Sequence, residues 1–390
     1  MQAFSVELIK KMIGLVFKVV GYFTCENLVY FESFHGKQFS DNPKAVYQEM
    51  KKTYPNYRLV WGVSKGHEEI FIKEKVDYVR RYSLKWLLTM PRAKGWVINT
   101  RTPIYMVKNK RTTYVQTWHG TPLKKLGLDI SEVKIAGYDT ASYREEFIKE
   151  AAVWDYLISP NSYCTDILPK AFGYQGEVLE VGYPRNDELV KKHADIKRIN
   201  YLKSELGIPL NKQVILYAPT WRETKKTDLT ELTLDLAEIE KQFKGEVVFL
   251  VRTHYLVSET IDFTRFGETI MNVSNYPDMK ELLLITDLLI TDYSSSLFDF
   301  AITKRPMLFY MYDRLDYEEK IRGVYFDVTE ALPGKIVTTE ISLINHLRQF
   351  VNDENTLISD NYEEFYQQFC HQEKGTASQA VIQKIIKKEE

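Results

Sequence analysis

The sequence predicts an α/β protein built from two Rossmann-like, doubly wound domains that face a cleft. Its 390 residues amount to about two to three usual domains. Short apolar segments alternate with longer amphipathic ones, which is the pattern of a parallel sheet with crossover helices. The alternation begins again after a charged stretch at 187–205 that leads to Gly207 and Pro209. We therefore expect one domain at 24–205 and a second at 206–390.

The expected strands are short apolar runs bounded by polar or turn-forming residues. A helix is expected at 43–53, and 341–390 is expected to form a helical tail. Whether this tail crosses back onto the first half stays open. First-half strands are expected at 27–31, 57–63, 96–99, 113–117, 156–159 and 178–181, and second-half strands at 214–218, 247–252, 269–273, 288–291 and 307–310.

Residues 1–23 have the pattern of an amphipathic helix. Glu7, Lys10, Lys11 and Lys18 interrupt the apolar run, so it is not an uninterrupted membrane-spanning segment. On a helical wheel these charged residues fall in one wedge, and nearly all the rest of the helix is apolar. The pattern favours a helix that lies in a membrane surface. A helix packed on its own domain and a cleaved signal peptide are the alternatives, although no small-residue cleavage site follows.

Composition and charge exclude several classes of protein. The 52 basic and 53 acidic residues give a net charge of −1, which argues against a nucleic-acid partner bound through a large positive surface. Cys25, Cys164 and Cys370 are widely spaced and odd in number. They indicate neither a disulfide framework nor a CxxC pair, and they favour a reducing, intracellular compartment.

The candidate site residues follow the predicted strands, because ligands of doubly wound sheets meet the carboxyl ends of the strands. The first such loop is at 116–125. Its His119 can accept a proton at neutral pH, Gly120 permits close backbone approach, and Lys124 adds a cation. A purely structural histidine is the alternative interpretation.

Three loops of the second half carry groups that suit an anion. Arg222 follows the strand at 214–218, and Arg252 and His254 end the strand at 247–252. Alternatively, Arg222 simply extends from a proline turn. After the strand at 288–291, serine hydroxyls and a helix start suggest a phosphate site, unless a serine merely caps the helix. The residues of this last loop are Asp292, Ser294 and Ser295.

Several motifs are absent from the sequence. It has no GxGxxG after a strand, no GxxxxGK[ST], no HExxH and no GxSxG, which argues against dinucleotide oxidoreductases, P-loop nucleotidases, zinc proteases and standard hydrolases. No Asp-x-Asp ends a strand, and no cluster of metal ligands is visible. We therefore expect no metal and no cofactor.

Six motifs, taken in order, resemble the CDP-glycerol glycerophosphotransferase family of teichoic acid synthesis. They are QTWHGTPLKKLGLD, SPNSY, GYPRND, YAPTWR, RTHY and TDYSSSLFDFAITKRPMLFYMYD, and the match runs from about residue 27 to 379. The chain most resembles the short members, through FESFHGKQFSDNPKA, MPRAKGWVINTRTP and FCHQEKGTASQ.

The resemblance implies a glycosyltransferase-B-like fold and a CDP-glycerol substrate bound mainly by the C-terminal half. It also implies an undecaprenyl-pyrophosphate-linked disaccharide acceptor that carries glycerol phosphate. Family members join membranes peripherally, so we expect the cytoplasmic face of the cell membrane, where other teichoic acid enzymes are potential partners. An acceptor hydroxyl would attack the glycerol-side phosphorus and CMP would leave. A primase, a ribitol phosphate transferase, a nucleotide-sugar glycosyltransferase and a non-catalytic membrane scaffold are the alternatives.

By the same resemblance, His119 matches the general base of the family's WHGTP motif, and His254 matches a histidine associated with the donor pyrophosphate. Ser294 and Ser295 match serines that contact the donor phosphate, and Arg252 lies on the same strand end as His254. The sequence departs from the family pattern after His254, where Tyr255 replaces a frequent proline.

Overall fold

The computed structural model describes residues 2–131, 139–220, 232, 234–253, 258–314 and 323–387. The chain divides into two compact units. Unit 1 comprises Met1–Gly120, Leu126–Asp187 and Gln372–Glu390, and unit 2 comprises Thr121–Lys125 and Glu188–His371.

Unit 1 contains a seven-stranded sheet whose paired strands all run parallel. Its order is β3-β2-β1-β4-β5-β6-β7, so the direction of winding reverses between β1 and β4. The loops after β1, β4 and β5 therefore meet at the carboxyl edge. The strands are β1 Cys25–Glu32, β2 Arg58–Val63, β3 Tyr78–Arg80, β4 Ala93–Ile98, β5 Thr113–Gln116, β6 Tyr156–Ser159 and β7 Glu177–Glu180.

Helices cover both faces of this sheet, because successive strand residues point to opposite faces and both sets are apolar. Tyr30 and Trp96 lie in one buried cluster, and the alternate residues Val29 and Val97 lie in the other. The helices of unit 1 are α1 Gln2–Gly21, α2 Asp41–Thr53, α3 Glu69–Lys73, α4 Leu84–Thr89, α5 Thr140–Ala151, α6 Ser162–Phe172 and, at the C-terminus, α15 Ala377–Ile386.

Unit 2 has a second parallel sheet, ordered β10-β9-β8-β11-β12-β13, with its reversal between β8 and β11. Two parallel-sheet α/β units confirm the predicted fold class. The strands are β8 Gln213–Tyr217, β9 Val247–Val251, β10 Ile270–Asn272, β11 Leu288–Thr291, β12 Met307–Tyr310 and β13 Lys335–Val337. The helices are α7 Asp187–Lys192, which starts at the boundary, α8 Ile196–Glu205, α9 Leu236–Phe243, α10 Met279–Ile285, α11 Ser296–Ala301, α12 Val328–Ala331, α13 Glu340–Asn352 and α14 Tyr362–Phe369.

The boundary between the units differs from the sequence prediction. It lies between Asp187 and Glu188 rather than after Glu205. The charged stretch that suggested a linker is part of unit 2, where Arg198 on α8 pairs with Glu281 on α10 at 3.0 Å. The three-residue edge strands β3 and β13 were also missed, whereas the equally short β10 was predicted within the strand at 269–273.

The helical tail divides between the two units. α13 and α14 belong to unit 2, whereas α15 packs on unit 1 through Val381, Ile382 and Ile385. The Asp187 carboxylate accepts hydrogen bonds from the backbone N–H groups of Ala377 and Ser378, both at 2.9 Å. These bonds tie the first turn of α15 to the end of unit 1's long segment.

The N-terminal helix α1 packs on unit 1 by one face only. Phe17 is fully buried, with ring centroids 5.0 Å from Trp86 and 6.3 Å from Trp96. The opposite face exposes Leu8, Met12, Leu15 and Val19, which are 51–63% accessible. In the part of the chain that the structure describes, no helix is long and apolar enough to cross a membrane.

Candidate active site

The loop after β5 has an uncommon backbone conformation directly before His119. Trp118 has a φ of 51°, a left-handed conformation that is uncommon for a residue with a bulky side chain. Its backbone N–H donates to the Gln116 side chain at 3.0 Å, and the Gln116 amide in turn donates to the Thr100 carbonyl at 3.0 Å. The loop is thus anchored to the strand that precedes it.

Two buried side chains from distant segments hold the backbone carbonyls of this loop. Asn42, at the start of α2, donates from Nδ2 to the carbonyls of Thr117 at 3.2 Å and Trp118 at 3.0 Å. Arg185 donates from Nη1 to the His119 carbonyl at 2.8 Å. Three consecutive carbonyls are therefore held by side chains, which fixes the strained turn.

Asn42 and Arg185 are themselves joined. The Arg185 backbone N–H donates to Asn42 Oδ1 at 3.0 Å, and Arg185 Nη1 pairs with Asp41 Oδ2 at 2.8 Å. The side chains of Arg185 and Asp41 are only 11% and 10% exposed. The DNPKA and GYPRND motifs quoted for the family resemblance meet here, a contact with the histidine loop that was not predicted from the sequence.

The hydrogen bond of His119 determines which ring nitrogen can act as a base. Nδ1 lies 2.7 Å from the backbone carbonyl oxygen of Asn99. Because a carbonyl oxygen only accepts, Nδ1 must carry the proton, and the neutral ring keeps its lone pair on Nε2. Burial lowers the pKa of His119 below its usual value. The ring also stacks on Trp118, with centroids 4.2 Å apart, so its orientation is fixed.

The loop after β1 lies beside His119 and was not assigned a role from the sequence. Phe34, His35 and Gly36 have φ values of 47°, 57° and 78°, and a non-glycine residue in this region costs about 1 to 3 kcal/mol. The Phe34 ring centroid is 5.6 Å from that of His119, and the Phe34 N–H donates to Asn99 Oδ1 at 2.9 Å. A sequence signal was present, since the FHGK segment at 34–37 begins three residues after the predicted strand at 27–31.

The structure separates the other candidates of the first loop. Gly120 is buried at the end of a unit 1 segment, next to His119 in the chain. Lys124 belongs to unit 2, where its backbone forms an isolated antiparallel bridge with Val324.

In unit 2, the Asp292 carboxylate organises the loops at the winding reversal. Its Oδ1 accepts the backbone N–H groups of Thr220 at 2.8 Å and Tyr293 at 2.6 Å, and the residue is 1% exposed. Asp292 thus joins the loop after β8 to the loop after β11. The buried Asp292 therefore shapes the predicted donor site through these backbone contacts and is not an exposed cleft residue.

The Arg252 side chain also donates hydrogen bonds to the backbone. Its Nη1 donates to the carbonyls of Val273 at 3.1 Å and Tyr276 at 2.6 Å, so it holds the segment after β10. Nε and Nη2 of Arg252 take no part in these two hydrogen bonds. The half-buried guanidinium sits at the end of β9, as the sequence predicts, and phosphate binding by it stays a prediction.

The two serines precede α11, which is only six residues long. Ser294 Oγ lies 2.9 Å from Ser296 Oγ. Ser295 is the N-cap residue, but its side chain makes no capping hydrogen bond. Ser294 Oγ, in contrast, accepts the backbone N–H of Ser296, the first residue of α11, at 3.4 Å. The capping alternative therefore holds for Ser294 and not for Ser295, and phosphate binding by either serine stays a prediction.

Arg222 and His254 lie outside the described residues, so their assignments to the donor phosphates stay predictions. Within the described ranges, no group of three or more His, Cys, Asp or Glu side chains could hold a metal ion.

Comparison with known proteins identifies the family. The CDP-Glycerol:Poly(glycerophosphate) glycerophosphotransferase family matches residues 15–387. The chain is 47% identical over 386 residues to the teichoic acid glycerol-phosphate transferase of Staphylococcus aureus (strain NCTC 8325 / PS 47), with 98% of each chain covered. It is 43% identical over 389 residues to the teichoic acid poly(glycerol phosphate) polymerase of Bacillus spizizenii, with 97% of each covered.

A solved structure supports the same assignment. A variant of the wall teichoic acid polymerase TagF, soaked with CDPG, superposes with a TM-score of 0.88 at 38% identity, covering 96% of this chain and 93% of that one. The glycosyltransferase-B-like fold and the resemblance to the short Staphylococcus-type transferase TarF are both confirmed. The chain therefore belongs to the CDP-glycerol glycerophosphotransferase family of teichoic acid synthesis, and it is an enzyme with the two-unit, parallel-sheet fold of TagF.

Proposed function

We propose that this enzyme transfers glycerol phosphate from CDP-glycerol to a hydroxyl of an undecaprenyl-pyrophosphate-linked disaccharide that already carries glycerol phosphate. The observation that carries the proposal is the state of His119. Its Nδ1 is engaged by the Asn99 carbonyl at 2.7 Å, which leaves a lone pair on Nε2, and its lowered pKa keeps the ring neutral at pH 7. These are the properties of a general base.

In the proposed reaction, His119 Nε2 takes the proton of the acceptor hydroxyl. The acceptor oxygen then forms a bond to the phosphorus next to glycerol, and the bond from that phosphorus to the bridging oxygen breaks. CMP leaves with the electron pair, and a phosphodiester remains. Phosphoryl transfer depends mainly on positioning and charge stabilisation, so the rigid support of His119 by Asn42 and Arg185 suits this chemistry.

The donor is proposed to bind unit 2 at the winding reversal between β8 and β11, where ligands of doubly wound sheets bind. Arg252, Ser294 and Ser295 are proposed to meet its phosphates, together with Arg222 and His254. Two facts support this assignment: Asp292 fixes both loops at the reversal, and the Ser295 hydroxyl is not used as a cap. CDP-glycerol is a substrate here, and the proposed scheme includes no cofactor and no metal.

The enzyme is proposed to bind the cytoplasmic face of the cell membrane peripherally through α1. The exposed apolar stripe of Leu8, Met12, Leu15 and Val19 is flanked by the exposed Lys11 and Lys18. Such a helix buries its apolar side at the acyl boundary while its lysines meet anionic headgroups. Because Phe17 packs into unit 1, α1 would serve as both a packed helix and an anchor.

Purified enzyme with radiolabelled CDP-glycerol and the lipid-linked primed disaccharide tests the proposal. We expect CMP release and product that grows by counted glycerol phosphate units. Parallel reactions with the unprimed disaccharide, with CDP-ribitol and with UDP-sugars test the primase, ribitol and sugar-transferase alternatives. CMP release only from CDP-ribitol, or transfer only to the unprimed acceptor, would overturn the proposal. Persistence of activity in EDTA would support a scheme without a metal.

A further inference from the structure

Hydrogen bonds hold the backbone of the loop after β1, and the His35 imidazole is exposed. The His35 carbonyl accepts bonds from Ser64 Oγ and Arg81 Nη1, both at 2.7 Å. Gly36 is required, because a Cβ there would lie 2.8 Å from the Gly62 carbonyl oxygen. Within the described chain the His35 imidazole itself makes no hydrogen bond. The left-handed conformation therefore presents an exposed imidazole, and strained residues of this kind are common at ligand sites.

Cationic side chains lie near this imidazole. Burial lowers the pKa of His35, and the neighbouring Arg81, Lys37 and Arg101 lower it further. Arg81 and Arg101 are already paired with carboxylates. Lys37 is exposed and forms no ion pair with any residue that the structure describes. The exposed His35 and Lys37 can therefore both form charge-assisted hydrogen bonds to an oxyanion.

The loop that carries His35 and Lys37 lies beside His119 through Phe34, whose ring centroid is 5.6 Å from that of His119. The β1/β4 reversal is the ligand-binding position of a doubly wound sheet, and the loop after β1 and Asn99 after β4 flank it. Asn99 joins the two features, since its side chain accepts from Phe34 N and its carbonyl accepts from His119 Nδ1. Asn99 Nδ2 is fully buried and has no partner among the described atoms.

We infer that His35 and Lys37 bind the phosphodiester that adjoins the attacking hydroxyl of the acceptor, and that they thereby select acceptors already carrying glycerol phosphate. This inference rests on the proposed function and deepens it. A glycerol phosphate terminus has a phosphodiester within one glycerol of its free hydroxyl, whereas the hydroxyl of a bare disaccharide has no anion so close. Both acceptors share the distant pyrophosphate, so this surface distinguishes them by the nearby charge.

The variant His35→Asn tests the inference while keeping the fold, because Asn tolerates the left-handed region better than other non-glycine residues. His67→Asn is the matched control, since His67 is another exposed histidine of unit 1. Both variants are assayed with CDP-glycerol and either the acceptor bearing glycerol phosphate or the bare disaccharide acceptor. For His35→Asn we expect kcat/KM on the first acceptor to fall about tenfold or more, with unchanged activity on the second and an unchanged KM for CDP-glycerol.

The outcomes separate this inference from the proposed function. If the wild-type enzyme releases no CMP with either acceptor, the proposed function fails. If it transfers normally but His35→Asn loses equally on both acceptors, or raises the KM for CDP-glycerol instead, the inference is overturned. Should His35→Asn melt at a lower temperature than His67→Asn, Lys37→Gln replaces it as the test variant, and an unchanged acceptor preference in Lys37→Gln would equally overturn the inference.

Discussion

Replacing Arg185 by methionine separates the positioning of His119 from its chemistry. Methionine keeps much of the length and apolar stem of arginine but donates no hydrogen bond. The change removes the bond to the His119 carbonyl, now 2.8 Å long, and the 2.8 Å ion pair with Asp41. Neither residue needs to touch the substrate for the effect to appear.

The size of each effect follows from burial. The charge-assisted bond to the His119 carbonyl is worth about 1.5 to 3 kcal/mol. Because the Arg185 and Asp41 side chains are 11% and 10% exposed, the orphaned carboxylate belongs to the buried class, whose rupture costs about 3 to 5 kcal/mol of stability. A displaced base lowers kcat by up to about 100-fold. The KM for CDP-glycerol should not change.

The double variant Asp41→Asn with Arg185→Met distinguishes the two effects. Removing the orphaned charge should restore most of the lost free energy of unfolding, measured by urea denaturation, but not kcat, because the His119 carbonyl still lacks its donor. Lys384→Met is a matched control on an exposed pair with Glu177, for which we expect a change below about 1 kcal/mol. An Arg185→Met enzyme with wild-type kcat would refute the positioning role.

Four further outcomes are expected. His119→Ala should lower kcat by about two to four orders of magnitude with little change in CDP-glycerol affinity measured by titration calorimetry; near wild-type turnover would exclude His119 as the base. Because burial lowers the pKa of His119, the midpoint of the acid limb in the pH profile of kcat should lie below the usual histidine value of about 6.5. Between the lowered folded-state pKa and about 6.5 the unfolded chain binds one more proton than the folded chain, so the stability contribution of His119 is lost as pH falls through this range. His119→Gln should remove this pH dependence of stability. Arg252→Ala should weaken CDP-glycerol binding about tenfold or more, and part of that loss reflects release of the 273–276 segment; unchanged affinity would refute the assignment. The double variant Met12→Glu with Val19→Glu should sediment less with anionic vesicles while its melting temperature stays unchanged; full sedimentation would place the anchor elsewhere. Deleting residues 1–23 removes the buried Phe17 and should lower the free energy of unfolding by about 3 kcal/mol or more.

Much of the fold could be predicted because its information is local. Strands such as β8 and β9 are continuous apolar runs between polar segments, and buried parallel strands require this pattern. The place of His119 directly after β5 followed from the same reasoning. Three-residue strands carry too little periodicity for a reliable prediction: β3 and β13 were missed, although the equally short β10 was found.

The unit boundary could not be predicted from composition. The stretch at 187–205 is charged, as a linker often is, yet its charges are used within unit 2. Glu188 pairs with the buried Lys280 at 3.0 Å, and Arg198 pairs with Glu281. A charge pattern states how many ionic groups are present, but only packing decides whether they face water or one another.

The sequence by itself determined the fold class and the family, and it predicted His119 as the base, because strand patterns and loop motifs are contiguous along the chain. Only the tertiary structure decided how His119 is held. Asn42 and Arg185 reach the histidine loop from 76 and 66 residues away, and Asn99 sets the tautomer from 20 residues away. Backbone carbonyls in a strained turn accept whichever donors the packed chain brings to them, and no local pattern specifies which distant side chains those are.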